Sequence, residues 1–83
     1  VNGEHERLKH EGRLAVLDRQ IKELRLRLAG LRDSLRSYLD PIDPPESLPG
    51  EQIAALAIEF ARLQTELQEI FEQYGAVRKV LGR

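Results

Sequence analysis

Apolar residues recur at alternating spacings of three and four along two stretches of this chain, and a proline-rich break separates them. The first ladder is Leu14, Leu17, Ile21, Leu24, Leu28, Leu31, Leu35 and Tyr38. The second is Ile53, Leu56, Phe60, Leu63, Leu67, Ile70, Tyr74, Val77 and Leu81. A repeat averaging about 3.5 residues holds one narrow stripe of a helix against a partner, which is the pattern of a coiled coil. If the chain reverses at the prolines, Tyr38 faces Ile53, Leu28 faces Leu63 and Leu14 faces Val77. Eight such layers form without skipping a residue, and the residue numbers of each pair sum to 91.

Charge favours the same pairing. From Arg13 to Arg36 there are seven basic and three acidic residues, a net of +4; from Glu51 to Gln73 there are one basic and five acidic, a net of −4. Antiparallel register sets Arg27 between Glu59 and Glu66. The predicted fold is therefore all-α: an antiparallel two-helix coiled-coil hairpin forming a single unit over residues 1–83. Its first helix is expected at about 3–39, the loop at 40–50 and the second helix at about 50–82.

Asn2 is expected to cap the first helix, with Glu4 and Glu6 favourably near the positive end of its dipole. Pro41 disfavours helical geometry at Asp40 and ends that helix. Asp43 and Glu46 read as a reciprocal cap for one helical turn, and Ile42 and Leu48 are expected to fold back over the helix ends. Gly12 and Gly30 interrupt the first helix either as packing sites or as places where it softens. Gly82 marks the end of the second, after Arg78 and Lys79 in its last turn.

Two helices alone leave each seam residue half wet, and 83 residues provide little surface to bury. A second copy is the expected remedy, giving a homodimeric four-helix bundle. Ala54, Ala57, Ala61 and Phe71 of the second helix share a broad face with Ala29 and Leu39 of the first, and these six residues are the predicted dimer interface. The opposite face carries Arg13, Gln20, Glu23, Glu59, Arg62, Glu66 and Glu69 and reads as solvated.

Lys22, Arg25, Arg32 and Arg36 form one stripe beside the alanine face. They are candidate phosphate contacts for a nucleic-acid-binding arm, with the favoured reading that they rim a protein interface. His10 shares a helical face with Glu6, too few ligands for a firm metal site; both histidines read as solvated. Tyr38 and Tyr74 belong to the seam. The chain has no cysteine, a third of its residues are charged, and its net charge is −1. That balance argues against a surface built wholly for nucleic acid, and no apolar run approaches the ~20 residues of a membrane span. There is no activated nucleophile, phosphate-cradling loop or enclosed carboxylate pair. We therefore expect no catalytic residues, no metal and no cofactor. The expected partners are a second copy or another helical protein, in a cytoplasmic setting by default. The start at Val1 reads as a trimmed chain, leaving open an upstream anchor or domain.

In length, hairpin shape and its Asp40-Pro-Ile-Asp-Pro-Pro45 turn, the chain resembles the needle subunits of type III secretion systems, which would imply a filament-forming secreted subunit. The unbroken leucine seam departs from that pattern. The arginine stripe resembles the basic helical arm at the start of seryl-tRNA synthetases, and small coiled-coil proteins of bacteria and phages are similar in plan. No residue role is carried over from any of them. The expected function is a non-enzymatic scaffold or assembly module.

Overall fold

The computed structural model describes residues 2–83, with side chains from Gly3 onward. Two long helices, α1 (Asn2–Tyr38) and α2 (Gly50–Val80), are joined by a loop holding a single 3₁₀ turn at Pro45–Ser47. The helices pack on one another into a rod of 67 × 16 × 15 Å. The cap assigned to Asn2 rests on a side chain outside those described.

Both ladders line the contact. Leu14, Leu17, Ile21, Leu24, Leu63 and Val77 are buried, and every other seam residue is half-buried except Tyr38, which is 41% exposed. Leu14, Leu17 and Val77 cluster with Ile70, Tyr74 and Leu81 near the open end of the hairpin. Cross-helix contacts elsewhere keep the same register. Arg27 reaches Glu59 (3.8 Å) and Arg25 lies over Phe71, pairs whose numbers sum to 86 and 96, either side of 91. Of the two acids expected to flank Arg27, only Glu59 is within reach; Glu66 pairs with Arg62 on its own helix at 3.6 Å, four residues away.

The connection is organised by Asp40. Its side-chain Oδ1 accepts a hydrogen bond from the Ile42 N–H (2.9 Å), and its carbonyl accepts one from the Asp43 N–H (3.3 Å). The 3₁₀ turn begins after Pro44 with no side-chain cap, so the reciprocal Asp43–Glu46 arrangement does not form. The Asp43 N–H that Glu46 would reach in such a cap is taken by the Asp40 carbonyl. The Ser47 hydroxyl instead donates to the Pro44 carbonyl at 2.8 Å. Ile42 does not fold back either: held on the outside of the Asp40 turn, it is 89% exposed, while Leu48 is half-buried.

The far end of α2 closes with paired hydrogen bonds, Gly82 N–H to the Lys79 carbonyl (3.0 Å) and Arg83 N–H to the Arg78 carbonyl (2.8 Å). This Schellman ending needs a left-handed residue, and Gly82 supplies it with φ +75°. Arg83 then forms a two-pronged ion pair with Glu11, tying the end of α2 back to α1. Gly12 and Gly30 are not packing sites, because a Cβ added at either would meet nothing within 4 Å.

Candidate interaction surfaces

A two-helix rod has no interior beyond its seam, so any function resides on its outer faces. The helical repeat divides the surface into two long faces of different chemistry.

On the first face, α2 contributes Ala54, Ala57, Ile58, Ala61, Gln64, Thr65, Gln68 and Phe71, a strip without a charge. The three predicted interface alanines are exposed, Ile58 beside them is 71% exposed, and Phe71 is half-buried. Ile58 escapes a reading confined to heptad seams, because it points outward; its i+4 and i−3 spacing from Ala54 and Ala61 was the available signal. From α1 the same face receives Ala29, half-buried, and at its tip end Leu39, exposed.

The basic stripe flanks this strip. Lys22 pairs with Asp18 at 3.0 Å, one helical turn away, and Arg32 with its neighbour Asp33 at 3.2 Å. Arg25 and Arg36 have no carboxylate within ion-pair distance among the described residues. The guanidinium of Arg25 instead sits 5.4 Å from the centroid of the Phe71 ring, a cation–π contact between helices. One residue assigned to nucleic acid and one assigned to the dimer thus touch each other. Arg25, Leu28, Ala29, Arg32 and Phe60 together line a shallow, mostly apolar hollow between the helices.

The second face is an ion-pair lattice. Arg62 donates to Glu59 through Nε (3.0 Å) and approaches Glu66, while Arg27 reaches Glu59 from α1. The Arg62 hydrogen bond, aided by the charges of Arg62 and Arg27, holds the Glu59 carboxyl below its ordinary value, and Glu59 holds Arg62 above its own. These groups are exposed, so they select partners and register more than they stabilise.

No group of three or more potential metal ligands gathers among the described residues, including around His5, Glu6 and His10. No described helix is long and apolar enough to cross a membrane. The chain matches no protein-family model, no curated protein and no solved structure.

Proposed function

We propose that this chain is a non-catalytic interaction module that acts as a homodimer, two hairpins packing through the alanine face into a four-helix bundle. The observation that carries this reading is the contrast between a thin core and the uncharged strip from Ala54 to Phe71. Among the described residues six buried hydrophobics form the core, which is small for a chain of this length. A third of the chain is charged, yet one side of α2 runs for five helical turns without a charge and exposes Ile58. Covering that side shields Phe71, with Ile58 at its edge, and dries the half-buried half of the seam.

At 1.5 Å per residue the uncharged strip is about 27 Å long, and at the 16 Å width of the rod it offers roughly 430 Å² on each copy, about 860 Å² in all. A stable interface of ~1,200 Å² or more therefore also takes in the flanking basic stripe and residues beyond the ends of the strip. The rival use of Lys22, Arg25, Arg32 and Arg36 as a nucleic-acid arm has less support: Asp18 and Asp33 already engage two of them, and Phe71 engages a third.

Solution mass with circular dichroism tests the reading. At micromolar concentration the chain should run at twice 9.5 kDa. Ala61→Glu with Phe71→Glu should give monomer or loss of helix, while Glu23→Lys on the opposite face leaves the dimer intact. A monomeric wild type, or a dimer indifferent to the double substitution, refutes it.

A further inference from the structure

From the shape and charge of the alanine face we infer which way two hairpins stack on it: α1 of each copy lies on α2 of the other, about a two-fold axis parallel to the rod. This rests on the homodimer proposed above. A face-to-face pair of two-helix hairpins has two symmetric solutions. With the axis running across the rod, α1 covers α1 and α2 covers α2; with the axis along the rod, α1 covers α2 at the same level.

The face is lopsided in a way that separates them. Its α1 half presents the long cationic side chains Lys22, Arg25, Arg32 and Arg36, and its α2 half presents Ala54, Ala57 and Ala61 with uncharged Gln64 and Gln68. Stacking like on like sets four cations of one copy against four of the other. It also asks the α1 pair to stand apart for its arginines while the alanine pair closes toward the 8–10 Å of packed helices. One rigid pair of hairpins cannot do both.

Stacking unlike on unlike removes both conflicts. Because the axis along the rod preserves level, and facing residues in the seam sum to 91, Arg32 of one copy stands opposite Ala57 and Ala61 of the other, and Arg36 opposite Ala54 and Ala57. Long aliphatic stems then lie over small side chains, the large-against-small alternation that lets layers interlock. The cations of α1 then face a strip without a charge and no longer face one another. Phe71 flanks the seam, next to the axis, so the two Phe71 rings meet across it, each already covered on one side by its own Arg25.

The absence of cysteine makes disulfide trapping clean. Positions 29 and 61 lie on the same face at nearly the same level, and both take a larger side chain without entering the seam. Under the α1-on-α2 arrangement, Ala29→Cys combined with Ala61→Cys should form, on diamide oxidation, a covalent dimer. Mass spectrometry should show position 29 of one chain joined to position 61 of the other, with several-fold less dimer from either single variant. Non-reducing gels separate this product from an internal disulfide. A dimer that Ala61→Cys or Ala29→Cys alone traps as well as the pair, or that none of the three traps, overturns this stacking and leaves the homodimer standing. A monomeric mass for the untreated chain removes the homodimer, and this stacking with it.

Discussion

Alanine at Gly12 and Gly30 should stabilise the hairpin, and the same change at Gly82 should weaken it. Gly12 and Gly30 lie inside the continuous helix α1, with helical neighbours on both sides. No atom outside the local helix comes within 4 Å of the Cβ that alanine would add there. Nothing in the folded state opposes the change, so the gain is the intrinsic helix preference of alanine over glycine, about 0.8–1 kcal/mol at each site. The sites are some 27 Å apart along the axis at 1.5 Å per residue, far enough for their effects to add to about 2 kcal/mol. For a domain of this size each kilocalorie raises Tm by roughly 4–8 °C, so the double variant should melt about 10 °C higher. At Gly82, where φ is +75°, alanine meets open space but the wrong backbone geometry, and about 1 kcal/mol should be lost. Thermal melts followed by circular dichroism at one fixed protein concentration read all three, since concentration would shift the Tm of the proposed dimer. A neutral or destabilising Gly30→Ala would refute the reasoning. It would mean that another backbone approaches α1 at that point.

Two further contrasts follow. Leu63 is wholly buried and Leu26 is 75% exposed, so Leu63→Ala should cost about 3 kcal/mol by denaturant titration, enough to threaten folding, while Leu26→Ala stays within about 0.5 kcal/mol. Because the Glu59 carboxyl is held below its ordinary value in the fold, its contribution is present at neutral pH and is lost as pH falls through that lowered value. The stability gap between wild type and Glu59→Gln should therefore narrow from about pH 5 downward. A gap that is constant across that range would show that Arg62 gives Glu59 no preferential interaction in the folded state.

The helices and their register were readable from residue numbers because both depend on strong, periodic signals. Eight ladder positions on each helix, with Leu81 just past the end of α2, repeat the same vote, and proline geometry leaves one place for the reversal. The loop interior was less readable because it turns on single hydrogen bonds. Asp40 and Asp43 are both competent caps by composition, and the outcome depends on which one has a free amide two residues ahead: Ile42 offers it to Asp40, whereas the residue two beyond Asp43 is Pro45. On the candidate interface, the residues were identifiable as sharing a face, but the contact of Arg25 with Phe71 was not. It is a diagonal between flanking positions, and its formation reflects a flexible side chain choosing an aromatic face where no carboxylate is near. Arg27 made a comparable choice in the other direction, since Arg62 competes for the same acids from within α2.

The burial pattern along the rod sets the order in which this chain comes apart. The layer beside the loop, Tyr38 with Ile53, spans 15 residues of sequence and is wet, whereas Leu14 with Val77 spans 63 and is buried, as is Leu63 at mid-rod. Closing the longer span costs only about 1.3 kcal/mol more by the logarithmic rule, less than burying one leucine returns. The hairpin is thus held more firmly from mid-rod to the open end than beside its turn, and at the open end Glu11 and Arg83 also join the two helices. Amide exchange should run opposite to a zipper: the backbone near the tip exchanges first, and the buried layers from Leu63 toward Val77 are the last part of the pairing to let go.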